Sequence, residues 1–267
     1  MAKKTRLDQL VLDRGLAESR SKAQALIISG SIRVNGEKRT KPGESAPTDA
    51  AIELIAGLPY VSRGGLKLAH ALDVFGLDPR GLLALDAGAS TGGFTDVLLQ
   101  RGAAHVFAVD VGYGIMDYRL RTDARVTPIE RTNIRYLERL PPLGDAESPL
   151  AGCAVIDVSF ISLSIVLPAV KRLVADGGWI VPLIKPQFEA GAEQVGKGGV
   201  VRERSVHASV LRSVLALAAS HHIAARGLTR SPITGPAGNI EFLAWLGGDA
   251  PPIDGEAAID AALRDAP

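Results

Sequence analysis

The feature that most constrains the fold of this chain is an alternation of short apolar runs with helical patterns, which begins near residue 80. Five apolar runs end in a charge or a turn: Leu82–Asp86, Ala104–Asp110, Val126–Ile129, Ala154–Asp157 and Trp179–Lys185. Between them lie helical patterns such as Phe94–Gln100 and Ser162–Val174. This alternation predicts an α/β fold in which helices cover both faces of a parallel sheet.

The end of the chain departs from this alternation. Residues 222–246 hold two further apolar strands with no helix between them, and a Ser231-Pro-Ile-Thr-Gly turn separates the two. We therefore expect an antiparallel pair at one edge of the sheet. Ligands of open α/β sheets bind beyond the carboxyl ends of the strands. The functional site is accordingly expected where the predicted strands end, at Asp86, Asp110, Asp157 and Lys185.

Composition narrows the class of protein. The longest stretches without a charged side chain are Val158–Val170 and Ser213–Ala225, thirteen residues each, whereas a membrane-spanning helix needs roughly 18 or more apolar residues. The single cysteine, Cys153, allows neither an internal disulfide nor a zinc site built from several cysteines. The basic N-terminus is not followed by an apolar run. We expect a cytoplasmic protein with no metal and no membrane association.

Charge is distributed unevenly along the chain. Residues 1–41 hold ten basic and four acidic side chains, which gives this segment a net charge of +6. The remaining 226 residues carry −5, because the net charge of the whole chain is +1. A basic segment joined to a mildly acidic remainder indicates a polyanionic partner, and nucleic acid is the usual one.

The basic segment contains two short helical patterns and a hairpin signal. Ser19 or Ser21 is expected to cap the second helix, which stops at Gly30, and Asn35-Gly36 marks a tight turn between two short strands. The segment Ser-Arg-Ser-Lys-Ala-Gln-Ala-Leu-Ile-Ile-Ser-Gly-Ser-Ile-Arg-Val-Asn-Gly resembles the alpha-L RNA-binding fold. The resemblance implies phosphate contacts from seven residues: Arg6, Arg14, Arg20, Lys22, Arg33, Lys38 and Arg39.

Turn-rich segments suggest where the domains begin and end. Residues 41–49 are predicted to form a loop before a last short strand at Ala51–Ala56, and Gly57 opens a connection to the next domain. We therefore assign residues 1–58 to an RNA-binding domain, 59–63 to a linker, 64–250 to the α/β domain and 251–267 to a C-terminal tail.

A glycine-rich loop follows the first strand of the α/β domain. The sequence Leu-Asp-Ala-Gly-Ala-Ser-Thr-Gly-Gly-Phe-Thr places flexible backbone and free helix amides at a strand-to-helix turn, where they can approach a ligand. Ser90 stands where a dinucleotide fingerprint has its second glycine. The loop form Asp-x-Gly-x-Ser/Thr-x-Gly-Gly-Phe resembles the S-adenosylmethionine loop of RNA methyltransferases. The cofactor-binding candidates are Asp86, Gly88, Ala89, Ser90, Thr91, Gly92, Gly93, Phe94, Asp110 and Asn133.

Two of these candidates lie beyond the loop. Asp110 ends the second strand, 24 residues after Asp86, and is placed to accept hydrogen bonds from ribose hydroxyls. Asn133 follows the third strand and is a candidate for the edge of the adenine base.

Four ionisable residues stand out as candidates for chemistry: Lys67, Asp157, Lys185 and Glu241. Charged groups beside apolar runs are costly unless they are paired, so two lysines and two carboxylates in one cleft would balance one another. A lysine that is crowded by a second cation and partly removed from water becomes a usable base. Each residue taken alone is more readily explained as a surface ion-pair partner, and it is the set of four at strand ends that indicates chemistry.

The order Lys-Asp-Lys-Glu resembles that of the FtsJ-like ribose 2′-O-methyltransferases. The segments Ser-Arg-Gly-Gly-Leu-Lys-Leu, Asp-Val-Ser-Phe-Ile-Ser-Leu, Lys-Pro-Gln-Phe-Glu and Gly-Pro-x-Gly-Asn-x-Glu are similar to those of the TlyA family in particular. This resemblance implies a class I methyltransferase domain, S-adenosylmethionine as cofactor, and cytidine in ribosomal RNA as substrate. Tyr60 stands where some members have a linker tryptophan, which puts any role of the linker in doubt here.

The resemblance implies that Lys185 takes, or positions for removal, the proton of a ribose 2′-hydroxyl, while Asp157 orients it. Lys67 and Glu241 would complete the charge balance and hold the ribose. Two other classes of function remain open on the sequence. One is a ribosome-assembly factor with a vestigial cofactor site, and the other is a cytolysin, because members of the TlyA family have also been described as haemolysins. The sequence does not indicate an oligomeric state.

Overall fold

The computed structural model describes residues 3–55, 58–145 and 147–264. The chain divides into two compact units, Met1–Pro59 and Tyr60–Pro267, which we call the first and the second unit. Ala56 and Gly57, the expected strand end and linker start, lie outside the described residues, as do the last three residues of the expected tail.

The described residues of the first unit form two helices and two small sheets. Its elements in chain order are β1 (Lys4–Arg6), α1 (Leu7–Asp13), α2 (Arg20–Ile28), β2 (Ile32–Val34), β3 (Glu37–Arg39), β4 (Ser45–Pro47) and β5 (Ile52–Leu54). Strand β2 lies between β3 and β5 in one antiparallel sheet, and β1 pairs with β4 in the other. Apolar side chains from both helices and from β2 form its core.

Local signals place most of these elements. The Ser19 side chain accepts a hydrogen bond from the Lys22 amide and so caps α2. Asn35 and Gly36 both have positive φ angles, 51° and 80°, as the tight hairpin turn requires. The structure differs from the sequence expectation within residues 41–49, where the strand β4 lies instead of a continuous loop. Three residues paired with β1 are too short for a periodic signal.

A buried acid organises the basic residues of the first unit. Asp8 is fully buried, and Arg6 donates hydrogen bonds of 3.0 and 2.9 Å to its two oxygens. Arg20 and Gln24 also donate to Oδ2, at 3.1 and 2.9 Å. These contacts, with that of Arg6 foremost, hold the pKa of Asp8 well below its usual range, although burial acts in the opposite direction.

The second unit contains seven strands and seven helices within the described residues. Its strands are β6 (Leu83–Ala87), β7 (His105–Val109), β8 (Val126–Ile129), β9 (Ala151–Ile156), β10 (Val174–Ile184), β11 (Ala225–Arg230) and β12 (Phe242–Gly247). Its helices are α3 (Gly64–Phe75), α4 (Gly93–Gln100), α5 (Tyr118–Arg121), α6 (Leu163–Lys171), α7 (Pro186–Glu189), α8 (Arg204–Ser220) and α9 (Gly255–Arg264).

These strands form one sheet in the order β11-β12-β10-β9-β6-β7-β8. The pairs from β10 to β8 are parallel, whereas β12 runs antiparallel to both β10 and β11. This confirms the predicted parallel sheet and the antiparallel pair at its edge. Successive residues of β6, such as Ala84 and Leu85, enter different apolar clusters because helices cover both faces.

Two segments differ from the sequence expectation. Helix α6 ends at Lys171 rather than reaching Val174, because Val174 already begins β10. Residues 255–264 of the expected tail form helix α9, whose Ile259 and Leu263 are buried in the core of the second unit. Apolar residues at helical spacing in this segment are the signal that was available for it.

We expect Asp8→Ala to lower the free energy of unfolding by about 1–3 kcal/mol near pH 7, because Arg6 and Arg20 lose a buried acceptor. Because the pKa of Asp8 is lower in the folded than in the unfolded protein, the Asp8 side chain stabilises the fold only when it is ionised. The contribution of Asp8 is therefore present above the unfolded pKa of about 3.9 and is lost as the pH falls below it. Denaturant titrations of parent and variant at pH 7 and pH 3 measure this. Asp13→Ala, on the exposed face of α1, is the control, and equal destabilisation by both variants would contradict the expectation.

Candidate active site

Two adjoining cavities open at the carboxyl ends of the parallel strands. The first has a volume of about 420 Å³, and Lys67, Asp157, Lys185 and Glu241 are among its lining residues. The second has a volume of about 450 Å³ and is lined by residues that follow β6, β7, β8 and β9. Four residues line both cavities: Gly88, Ser90, Asp157 and Ser159. The arrangement provides two neighbouring binding volumes with a shared wall.

The glycine-rich loop forms part of that shared wall. Gly88 has a φ of 90°, and a Cβ atom there would lie 2.5 Å from the Asp157 carbonyl oxygen. A side chain at this position is therefore excluded both by backbone conformation and by space. Ser90 also has a positive φ, 49°, and its amide donates a 2.8 Å hydrogen bond to Asp110 Oδ2.

Asp110 lines the second cavity with its carboxylate held in place. Besides the bond from Ser90, its Oδ1 accepts a 2.7 Å hydrogen bond from the Gly112 amide. Asn133 lines the same cavity, and its Oδ1 accepts a 3.0 Å hydrogen bond from the Arg135 amide. Each carboxylate oxygen can accept a second bond, so Asp110 retains capacity for a ligand hydroxyl.

The other loop residues are divided between the cavities and the interior. Gly88, Ala89, Ser90, Thr91, Gly93 and Phe94 line the first cavity. Gly92 lines neither cavity. It packs against Leu120, since a Cβ atom on Gly92 would lie 2.3 Å from Leu120 Cδ1. Asp86 also lines neither cavity. It is fully buried beneath the loop, where Thr95 Oγ1 donates a 2.6 Å hydrogen bond to its Oδ2.

Burial raises the pKa of Asp86 to about 7, and the nearby carboxylates of Asp157 and Asp110 act in the same direction. Among the described residues, Asp86 Oδ1 has no hydrogen-bond partner. Asp86 therefore supports the loop from below rather than facing either cavity.

Lys185 is the most highly connected of the four ionisable candidates. It directly follows β10, is 8% exposed, and forms a 2.6 Å ion pair with Asp157 Oδ1 at the end of the neighbouring strand β9. Its Nζ also donates to the Val158 carbonyl at 2.8 Å and to Ser159 Oγ at 2.9 Å. Three acceptors match the three protons of an ammonium group.

The other two candidates form a second ion pair in the first cavity. Lys67, from the first turns of α3, donates to Glu241 Oε2 just before β12. Both side chains are buried, 9% and 1% exposed, so each charge depends on the other. The structure thus brings all four candidates to one cavity, as two pairs of opposite charge.

Phe160 is a residue at this site that the sequence reasoning missed. Its side chain is 90% exposed, its φ is 63°, and it lines the second cavity. The ring of Phe188 lies 5.0 Å from that of Phe160, centroid to centroid. A left-handed backbone is uncommon for a bulky residue, and such strained positions are frequent at functional sites. The available signal was an aromatic residue three positions after Asp157, the last residue of a predicted strand.

A basic and aromatic surface beside the second cavity was also missed. The guanidinium of Arg131 lies 4.2 Å from the ring centroid of Tyr113, and that of Arg121 lies 5.5 Å from it. Arg135 lies 5.4 Å from the ring of Tyr136, and both tyrosines are more than half exposed. The net charge of −5 outside the first 41 residues conceals this local positive surface.

The segment at the start of the second unit packs against the glycine-rich loop and the start of α4. The Val61 amide donates a 2.8 Å hydrogen bond to Asp96 Oδ2 on α4. A Cβ atom on Gly93 would lie 2.2 Å from Ser62 Oγ, and one on Gly65 would lie 2.5 Å from Tyr60. Tyr60 therefore packs closely on the first turn of α3.

The basic residues of the first unit differ in how free their charges are. Arg6 and Arg20 contact Asp8, Lys22 contacts Glu18, and Arg39 contacts Glu37 and Glu44. Arg14 donates to the carbonyls of Thr48 and Ala50. Arg33 and Lys38 are exposed, lie directly opposite each other in the β2–β3 hairpin, and have no ion-pair partner among the described residues.

The residues that the structure describes lack two kinds of feature. They contain no group of three or more His, Cys, Asp or Glu side chains that could hold a metal ion. None of their helices combines the length and the apolar character needed to cross a bilayer.

Comparison with known proteins identifies the class of this chain. Residues 60–248 match the FtsJ-like methyltransferases, and residues 5–47 match the S4 domain. The chain belongs to the FtsJ-like methyltransferase family. It is therefore an enzyme that transfers methyl groups, with an S4 domain at its N-terminus.

Individual relatives extend this result along the whole chain. The chain is 44% identical to the 16S/23S rRNA (cytidine-2′-O)-methyltransferase TlyA of Mycobacterium tuberculosis, covering 92% of this chain and 91% of that protein. It is 40% identical to Hemolysin A of Brachyspira hyodysenteriae, covering 90% of this chain and 98% of that one. A solved structure from Streptococcus thermophilus is 46% identical, with a TM-score of 0.74 over 99% of this chain and 96% of that one.

We expect Asp86→Asn to change how stability depends on pH. Because the folded pKa is raised to about 7, the native state keeps a proton that the unfolded chain releases near pH 3.9. The parent should therefore lose stability as the pH rises from about 4 to about 7, whereas the neutral amide should not contribute such a loss. Denaturant titrations at pH 5 and pH 8 measure the free energy of unfolding. From pH 5 to pH 8, this free energy should change in favour of the variant relative to the parent. Asp78→Asn at an exposed position is the control, and an identical pH dependence in the parent and Asp86→Asn would contradict the assignment.

Proposed function

We propose that this enzyme transfers a methyl group from S-adenosylmethionine to the ribose 2′-hydroxyl of a cytidine in ribosomal RNA. The observation that carries the proposal is the pair of adjoining cavities at the strand ends. One contains two lysine–carboxylate pairs, and the other contains the fixed carboxylate of Asp110. The 44% identity to a relative named as an rRNA cytidine 2′-O-methyltransferase supports the choice of nucleotide and atom.

The second cavity fits the adenosine portion of the cofactor. The carboxylate of Asp110 would hold the ribose hydroxyls, and Asn133 would face the base. Because a side chain at Gly88 would collide with the Asp157 carbonyl, glycine allows the loops after β6 and β9 to approach each other beside this cavity. S-adenosylmethionine, when bound, supplies a methyl group on a positively charged sulfur.

Lys185 would hold the acceptor hydroxyl in the first cavity. Because its ammonium already has three acceptors, the substrate oxygen must replace one of them. The neutral hydroxyl of Ser159 is the partner most easily exchanged, since Asp157 is the one acceptor that carries a full negative charge and the Val158 carbonyl is fixed in the backbone. Lys185, as a neutral amine that has first released one proton to solvent, would then take the 2′-hydroxyl proton; as an ammonium it would instead position that hydroxyl for removal of the proton by water. Asp157 would fix the direction of approach.

Lys67 and Glu241 would bind and align the same ribose. Their mutual ion pair neutralises two buried charges and leaves hydrogen-bonding capacity facing the cavity. Alignment of the acceptor oxygen contributes much of the acceleration in a direct transfer reaction.

Residues of each unit would contact the RNA substrate. Arg33 and Lys38, which form no ion pair among the described residues, offer charges for phosphates, and the other basic residues of the first unit add to the local field. In the second unit, the exposed ring of Phe160 would stack on a nucleobase that is turned out of its helix. The stacked Tyr113 and Arg131 would contact RNA beyond the target. Because the proposed substrate is ribosomal RNA, the enzyme would act in the cytoplasm.

The first experiment combines purified protein, ribosomal subunits and S-adenosylmethionine labelled in its methyl group. We expect label in cytidine 2′-O-methyl groups of ribosomal RNA. Lys185→Ala should abolish transfer, because Lys185 acts on the substrate hydroxyl. The cofactor dissociation constant, measured by calorimetry, should change far less than kcat, although Lys185 also contacts the loop that lines the second cavity. Lys171→Ala, on the partly exposed end of α6, should match the parent.

Three outcomes would count against this proposal. Binding of subunits without any methylation would favour an assembly factor, and label in a base rather than a ribose would exclude the assigned atom. A Lys185→Ala variant that retains turnover would exclude the assigned role of Lys185.

We expect the double variant Arg33→Ala/Lys38→Ala to bind ribosomal RNA with a weaker salt dependence. If each side chain contacts one phosphate, the slope of log affinity against log salt should become shallower by about 2, taking the value of about 0.9 per contact for duplex DNA as a guide. Lys22→Ala should change the slope less, because Glu18 already pairs with Lys22. Cofactor affinity should be unchanged in both variants. An unaltered slope in the double variant would place the phosphate contacts elsewhere.

A further inference from the structure

We propose that Glu189 is a positioning residue for methyl transfer, which fixes the segment Asp157–Leu163 against the end of β10. This assignment rests on the function proposed above. The segment supplies Asp157 and Ser159 to both cavities and Phe160 to the second one, so its placement sets the geometry of the reaction site.

Glu189 binds the far end of this segment with both carboxylate oxygens. Its Oε1 accepts a 2.9 Å hydrogen bond from the Leu163 amide, and its Oε2 accepts a 2.7 Å bond from Ser162 Oγ. Ser162 is the residue that caps α6, and Leu163 is the first residue of that helix. A carboxylate is favoured here because free amides at a helix N-terminus carry partial positive charge.

Lys185 binds the near end of the same segment. It contacts Asp157, Val158 and Ser159, and Lys185 itself lies only four residues before Glu189 in the chain. Helix α7 connects the two anchors, and Pro186 at its start restricts the backbone. One rigid turn therefore holds the segment at both ends.

Phe160 lies between the two anchors. Its ring packs on Phe188, which belongs to the same turn, and its backbone has the unfavourable φ of 63°. A strained conformation persists only where the surroundings hold it in place. Without Glu189, the far anchor is lost, and the segment can relax by moving away from Lys185.

Glu189 is partly buried, and burial raises its pKa, whereas the bonds from Leu163 and Ser162 lower it. The carboxylate thus loses hydration and receives two bonds from one segment in return. This is the pattern of a group that fixes its surroundings, since it does not line either cavity.

The test compares Glu189→Ala, Glu189→Gln and Ser162→Ala in the full chain. Glutamine keeps an oxygen for the Leu163 amide, so it should stay within about 3-fold of the parent, whereas alanine should lower kcat by about 10- to 100-fold, as misplaced reacting groups do. The KM for ribosomal subunits should change much less than kcat. Glu193→Ala, at an exposed position on the next turn, is the matched control and should leave kcat unchanged.

Two further measurements separate positioning from general destabilisation. The double variant Glu189→Ala/Ser162→Ala should lose little more kcat than Glu189→Ala alone, because both changes remove one anchor. Hydrogen exchange should accelerate at the Leu163 amide in Glu189→Ala, with the melting temperature near that of the parent.

The results distinguish this assignment from the proposed function. If the parent binds S-adenosylmethionine but methylates neither ribosomal subunit, the proposed function fails, and the positioning role of Glu189 in methyl transfer fails with it. If the parent is active and Glu189→Ala matches it in kcat, only the assignment of Glu189 is overturned. Unchanged exchange at Leu163, additive losses in the double variant, or no recovery with glutamine would overturn it as well.

Discussion

The ion pair between Lys185 and Asp157 is the interaction on which the geometry of the site depends. It joins the ends of β10 and β9, which are neighbours in the parallel sheet but lie 28 residues apart in sequence. Removing both charges from water is costly, and the cost is offset only where the contact is short and the remaining protons find acceptors. Val158 and Ser159 provide these acceptors, so the same contacts that stabilise Lys185 also fix the loop after β9.

That loop explains why two binding volumes adjoin each other. The Asp157 carbonyl lies against Gly88, where no side chain could fit, so the loops after β6 and β9 approach closely at the shared wall. On one side lies Asp110, held by two backbone amides, and on the other lie the two lysine–carboxylate pairs. A small separation between cofactor and acceptor is what a direct transfer reaction requires.

The first unit shows that positive charge in a sequence differs from positive charge available to a ligand. The net charge of the segment counts Asp8 as one acid among four and does not show that this acid is buried. In the structure, Asp8 forms ion pairs with Arg6 and Arg20. Both arginines remain about half exposed, so the cluster still presents net positive charge. Arg33 and Lys38, by contrast, are exposed and lie opposite each other in the β2–β3 hairpin, and Glu53 of β5 lies across from Arg33 on its other side.

The sequence by itself determined the parallel sheet, its antiparallel edge, the Asn35-Gly36 hairpin and the family, because period, turn chemistry and motif order are local properties of the chain. It also indicated Lys67, Asp157, Lys185 and Glu241 as a set. Only the tertiary structure decided how they pair, since Lys67 and Glu241 are 174 residues apart. The buried position of Asp86, the exposure of Phe160 and the contacts of Glu189 likewise depend on how distant strands and helices pack. The burial or exposure of one residue against its type, and contacts between residues distant in the chain, leave no periodic signal, which is why these features could not be read from the sequence.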